Sequence, residues 1–132
     1  MTAAITIRTT NQTELIDITG QVERVVTEKG ARDGLCCIFV PHTTAGITIN
    51  EGADRSVQTD ILAVLNEVIP FRFPYRHAEG NSPAHIKASI MGSSVKVIVE
   101  SGKFLLGTWQ SIFFCEFDGP RTRKVYVKVI EG

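Results

Sequence analysis

The chain has 132 residues, 43% of them hydrophobic, which suits one globular domain over residues 1–132 and excludes a disordered chain. Its 14 basic and 14 acidic side chains cancel, which argues against a bulk nucleic-acid binder and leaves only the local cluster Arg121, Arg123 and Lys124. There is no bilayer-length apolar run and no basic-then-apolar leader, so a soluble, cytoplasmic protein without a membrane partner is expected.

In chain order, residues 4–9 alternate Ile5, Ile7 and Thr9 against Thr6 and Arg8, the pattern of a half-buried strand, and residues 15–17 are expected to continue its sheet. Ile18, Val22, Val25 and Val26 recur at helical spacing before Gly30, predicting a short helix over 18–29. Residues 35–40 form a continuous apolar run, a buried strand, and residues 45–49 a second short one. The clearest helix is predicted over 54–69, with Asp54 as N-cap, a stripe of Val57, Ile61, Val64, Leu65 and Val68, and Pro70 as stop. After a loop over 71–80, Ser82-Pro83 reads as N-cap plus first helical residue of a helix through residue 90.

Strands follow at 95–100 and 103–105 around the turn Ser101-Gly102, then at 110–116, then at 123–130, where Val125, Val127 and Val129 alternate with charged neighbours. Short turns between neighbours favour antiparallel pairing. The expected fold is α+β and β-rich: mainly an antiparallel β-sandwich with about three inserted short helices. Cys36, Cys37 and Cys115 are an odd set on apolar strands, and adjacent strand residues face opposite ways, so they read as reduced structural thiols.

All three histidines, His42, His77 and His85, lie beside Gly, Pro, Asn, Ser or Thr rather than inside apolar runs. Imidazoles gathered at one place could hold a divalent metal, zinc among others, or move protons. A helix start at His85 would favour its neutral form and also suits a phosphate. The competing reading is three independent structural histidines, since the spacing is no diagnostic metal motif.

A second group, Asn50-Glu51-Gly52-Ala53-Asp54 with Asp60, offers carboxylates for Mg²⁺ or a general base, against plain helix capping. A third group joins Thr108, Trp109 and Gln110 to Glu116 and Arg121, with Arg121 suited to phosphate and Glu116 to a metal or a histidine. Its plain alternative is a hairpin with Trp109 in a core or oligomer contact and a Glu116–Arg121 ion pair. No Walker, Rossmann or GxSxG signature is present.

Three motifs together resemble the YjbQ family, whose members are described as secondary thiamine-phosphate synthase-like proteins. They are Pro41-His42-Thr43-Thr44-Ala45-Gly46-Ile47-Thr48-Ile49-Asn50-Glu51 with Asp54 and Asp60; Tyr75-Arg76-His77 with Gly80-Asn81 and Ala84-His85-Ile86-Lys87-Ala88; and Gly107-Thr108-Trp109-Gln110 with Glu116-Phe117-Asp118-Gly119-Pro120-Arg121. The resemblance spans nearly the whole chain, and Gly52 departs from an asparagine often found there. It implies a homotrimer with the motifs gathered near a subunit interface, and a divalent metal, Zn or Mg, on His42, His77 and His85. On that expectation Glu51, Asp54 or Glu116 would act as the catalytic base or support a ligand, and Asn50, Asp60, Asn81, Thr108, Gln110 and Arg121 would bind the substrate.

The implied activity is a weak thiamine-phosphate synthase transferase reaction, joining a pyrimidine diphosphate to a thiazole phosphate with loss of pyrophosphate. The expectation is therefore a small trimeric enzyme acting on a phosphorylated small molecule. The alternative is a non-catalytic ligand-binding or trimer-assembly module.

Overall fold

Eight strands and three helices alternate along residues 2–132, the part of the chain described in this computed structural model. A large sheet holds β1 (Ala3–Arg8), β3 (Gly34–Phe39), β5 (Ser94–Glu100), β6 (Lys103–Phe104) and β8 (Thr122–Glu131), in the order β1-β8-β3-β5-β6. A small sheet holds β2 (Glu14–Asp17), β4 (Ala45–Glu51) and β7 (Gln110–Glu116), in the order β2-β7-β4. Neighbours in both sheets run antiparallel. The fold is the expected β-rich α+β architecture. Residues 15–17, however, do not extend the first strand's sheet: β2 pairs with β7, because the chain turns between Thr9 and Glu14 to the other layer.

The main core lies between the sheets. Ile38, Val97, Val125 and Val127 enter it from the large sheet, Ile47, Ile112 and Phe114 from the small one, and Val22 and Val26 from α1 (Thr19–Lys29). β7 is apolar on both faces because a second cluster lies behind it. There Cys115 and Phe117 meet Ala84 and Ala88 of α3 (Ser82–Met91), with Leu65 of α2 (Arg55–Val68) alongside. Burial of an aliphatic or aromatic side chain of this kind contributes about 1.5–3 kcal/mol.

Small residues set the approach of α3 to the small sheet. Ile47 N–H donates to Gly92 O at 3.1 Å, and a Cβ on Gly46 would stand 2.7 Å from that same oxygen. In the β5–β6 hairpin, Ser101 and Gly102 both take positive φ (52° and 79°), the conformation a two-residue turn needs to match the strands' twist.

α2 starts as its sequence predicts, with Asp54 accepting from Ser56 N–H at 3.0 Å. Its apolar stripe is only partly used: no residue of α2 is fully buried, and Val64 and Val68 are 59% and 69% exposed. α3 begins one residue earlier than predicted: Asn81 is its N-cap and Ser82 its first residue. No helix among the described residues is long and apolar enough to cross a membrane.

Candidate functional site

His42 sits on the link, residues 40–44, by which the chain leaves the large sheet and enters the small one. β3 ends at Phe39, opposite Tyr126 of β8, so the start of β8 lacks a strand partner on that side. His42 takes up the exposed position: its Nε2 accepts Lys124 N–H at 2.9 Å. That bond needs an unprotonated Nε2, which puts the neutral ring's hydrogen on Nδ1. Burial, and then the Arg123 charge, hold the His42 imidazole below its ordinary value.

His85 lies in the first turn of α3, its backbone N–H reaching Asn81 O at 3.4 Å. His77 comes from the loop before α3. Tyr75 shapes that loop by donating its hydroxyl to Pro70 O and by packing on Phe73, ring centroids 5.1 Å apart. The His77 and His85 rings meet edge to face with centroids 5.3 Å apart, and His77 Nε2 stands 4.0 Å from Glu79 Oε2. His42, His77 and His85 line one hollow of about 460 Å³, together with Asn81, Arg121 and Arg123.

Beneath it lies a buried polar network. Glu116 is 0% and Arg123 3% exposed. The Arg123 guanidinium donates to both carboxylate oxygens of Glu116, through Nε at 2.9 Å and through Nη2. Nη2 also reaches Thr44 Oγ1 at 2.9 Å. Thr9 Oγ1 donates to Glu116 Oε1 at 2.8 Å, and Asp118 N–H to Oε2 at 3.0 Å. Burial pushes the Glu116 carboxyl up, but the hydrogen bonds from Arg123, Asp118 N–H and Thr9, with the Arg123 charge, outweigh it and leave the group below its usual value.

The Glu116–Arg121 pair expected as an alternative is therefore replaced by Glu116–Arg123. Arg121 turns instead to Asp118, through Nε to its carbonyl and Nη2 to Oδ2, both at 2.9 Å. Asn81 Nδ2 joins the same carboxylate at 3.0 Å, while its buried Oδ1 has no partner among the described residues. Glu116, spent on Arg123, is not free to serve as base or to orient a histidine.

The remaining site residues stand elsewhere. In the antiparallel ladder of β4 and β7, Ala45 faces Glu116 at one end and Glu51 faces Gln110 at the other. Seven-residue strands separate those ends by roughly 20 Å. Asn50, Glu51, Asp54, Thr108 and Gln110 thus lie far from the histidines of their own chain, and Asp60 lies on the exposed side of α2. Glu51 accepts from Ala53 and Asp54 N–H at 2.7 and 3.2 Å, Asp54 caps α2, and Gln110 Oε1 accepts from Gly107 N–H at 2.8 Å. Trp109 is 64% exposed and belongs to no core.

The metal implied by the family resemblance does not fit these residues within one chain. His42 has committed Nε2 to Lys124, and among the described residues no three His, Cys, Asp or Glu side chains are placed to hold an ion. Cys36 and Cys115 are buried thiols, as expected, whereas Cys37 is only half-buried: burial pushes Cys36 up to about 11 and Cys115 up to about 12, far from reactive thiolates.

Sequence reasoning named Arg123 only as part of a basic cluster and Lys87 only within a motif, and foresaw the burial of neither. Arg123 shares strand parity with the inward-facing Val125, Val127 and Val129, and Lys87 shares the buried face of α3 with Ala84 and Ala88. Those parities were the available signals.

A family model described as UPF0047 protein YjbQ-like matches residues 3–132. The UPF0047 protein YugU of Bacillus subtilis is 52% identical over 131 residues, covering 98% of this chain and 99% of that one. A UPF0047 protein of Methanocaldococcus jannaschii is 54% identical over 124 residues, covering 94% and 90%. The crystal structure of an uncharacterized YjbQ/UPF0047 protein from Clostridium acetobutylicum superposes with a TM-score of 0.95 at 56% identity, covering 97% and 99%. A protein of unknown function from Sulfolobus solfataricus has the same TM-score at 38% identity, covering 100% and 97%. With its three motifs in order and its fold shared end to end, this chain belongs to the YjbQ family, UPF0047.

Proposed function

We propose that this protein is a small enzyme acting on a phosphorylated small molecule in the histidine-lined cleft. The observation that carries the reading is the convergence of His42, His77 and His85 with Arg121 on one hollow of about 460 Å³. A guanidinium fork matches a phosphate, and the start of α3 adds the positive end of its dipole. Arg121 uses Nε and Nη2 on Asp118, so Nη1 is the group left for the substrate. His42, fixed through Nε2, faces the substrate as a donor through Nδ1–H.

Thiamine-phosphate synthesis is the candidate reaction taken from the family resemblance. Arg121 and the helix start would stabilise the charge growing on the departing diphosphate. The cationic set is thin for that task, because Glu116 neutralises Arg123 and Asp118 engages Arg121. Synthase turnover is accordingly a weak side reaction of a pocket built for another phosphorylated compound.

The working unit in this reading is a homotrimer in which a neighbouring copy brings its Glu51, Asp54 and Gln110 end to the histidines. The exposed Val64, Val68 and Trp109 support it, since large apolar side chains left in water favour association.

The test pairs calorimetric binding of inorganic phosphate with pyrophosphate release from the pyrimidine and thiazole substrates. The wild type is compared with His42→Ala, His77→Ala, His85→Ala and Arg121→Ala. The reading expects phosphate binding to weaken at least tenfold in Arg121→Ala, and turnover to fall in each folded histidine variant. If all four variants keep full binding and turnover, the enzyme reading is lost. The assembly-module alternative draws on the same exposed side chains; it wins if histidine replacement dissociates the trimer and the wild type turns over no phosphorylated substrate.

A further inference from the structure

His42 and His85, with Thr43, also line a second hollow of about 370 Å³. Ala45, Ala88 and Gly92 form part of its walls, with Ser89 and Ser93 among its exposed residues. No charged side chain lines it apart from the shared histidines. The phosphate-facing side is the opposite case, with Arg121, Arg123 and Glu79 in its wall. The two hollows thus adjoin at one pair of imidazoles and differ sharply in charge.

The walls of the second hollow are small because α3 lies hard against β4. A Cβ on Gly46 would stand 2.7 Å from Gly92 O and 3.6 Å from Ala88 O. Methyl groups and backbone therefore face the space where longer side chains would have filled it. Ser89 Oγ donates to His85 O at 2.9 Å, which leaves the hydroxyl oxygen as an acceptor, while Ser93 Oγ has no partner among the described residues. A volume of about 370 Å³ is more than twice the ~150 Å³ that accommodates one benzene ring, so a ring with its substituents fits with room to spare. A charged group placed there would find no Lys, Arg, Asp or Glu partner in the lining, so the hollow favours an uncharged one.

We propose that this second hollow is the specificity half of the site: it takes the uncharged, one-ring-sized organic part of a phosphate monoester whose phosphate lies on the Arg121 side. Ser89 and Ser93 are its specificity-determining residues. His42 and His85 straddle the ester linkage, where a proton donor is useful to a departing oxygen. The inference rests on the reading of the Arg121 side as the phosphate site.

Calorimetry on the full chain tests it with three probes: inorganic phosphate, phenyl phosphate and 4-carboxyphenyl phosphate. The wild type is expected to bind phenyl phosphate at least tenfold more tightly than inorganic phosphate, and to lose that preference with the carboxylated probe. Ser89→Leu, an exposed replacement that narrows the hollow, is expected to bring phenyl phosphate down to the level of inorganic phosphate while leaving inorganic phosphate unchanged. Ser93→Leu does the same should Ser89→Leu fail to fold. Equal wild-type binding of the first two probes overturns the proposal, as does a phenyl preference that survives in the folded leucine variant; either result leaves the phosphate site standing. Inorganic phosphate that fails to bind, or binds unchanged in Arg121→Ala, overturns the phosphate reading and this proposal with it.

Discussion

Replacing Glu116 with alanine leaves a guanidinium in the core without its counter-charge. Glu116 accepts four hydrogen bonds: from Thr9 Oγ1, from Asp118 N–H, and from Nε and Nη2 of Arg123. After truncation Arg123, 3% exposed, keeps only Thr44 as a hydrogen-bond partner among the described residues. Removing one partner of a buried ion pair costs about 3–5 kcal/mol, because the survivor has neither water nor a counter-charge. Against a total stability of roughly 5–15 kcal/mol, that is a large loss, equivalent to roughly 10–20 °C in melting temperature.

Removing both charges is different. Glu116→Leu with Arg123→Met replaces the pair by apolar volume and is expected to cost less than Glu116→Ala alone. Urea unfolding followed by circular dichroism, at matched protein concentration, measures the wild type, Glu116→Ala, the double variant and the singles Glu116→Leu and Arg123→Met. A Glu116→Ala loss below about 1 kcal/mol, or a double variant as unstable as the sum of its singles, would refute the account of the network. The same carboxyl sets an acid limit. Its folded value lies below the unfolded one, so its contribution is complete above about pH 4.3 and disappears as pH falls through the folded value.

Other consequences can be checked singly. The His42 ring is expected to titrate below 6.5 by NMR, with Nε2 unprotonated in the neutral form; the unfolded chain then binds the proton more readily, so this contribution to stability declines as pH drops below 6.5. A midpoint at or above 6.5 would contradict the account in which burial and the Arg123 charge control this ring. Gly119→Ala is expected to destabilise by about 1–3 kcal/mol in a thermal melt, because its Cβ would stand 2.3 Å from Asn11 O and 2.8 Å from Glu116 Cγ. Lys87 is fully buried, donates to Asn66 Oδ1 at 2.6 Å and lies 4.1 Å from the Phe71 ring centroid.

Burial holds the Lys87 ammonium below its ordinary value, so stability should rise with alkaline pH up to the unfolded lysine value near 10.4, and Lys87→Met should abolish that rise. Mixing separately purified Glu51→Ala and His85→Ala proteins under subunit exchange is expected to restore part of the lost turnover. No recovery from mixed oligomers would remove the neighbour-completed site.

Periodicity in the sequence was enough for the elements. The stripe from Ile18 to Val26, the apolar run of β3 and the alternation Val125, Val127, Val129 all became structure near their predicted places, because each pattern has one burial-compatible geometry. The location of every histidine outside the apolar runs was equally plain. Tertiary structure alone decided who meets whom. β2 joined β7, since a short strand can pair with either sheet and only the packed layers choose. Arg123 took Glu116 and left Arg121 to Asp118, because strand parity turns one guanidinium into the core and a turn holds the other at the surface. The three motifs, continuous in function on paper, were divided between the two ends of β4 and β7, because an extended strand carries its termini roughly 20 Å apart whatever chemistry they bear.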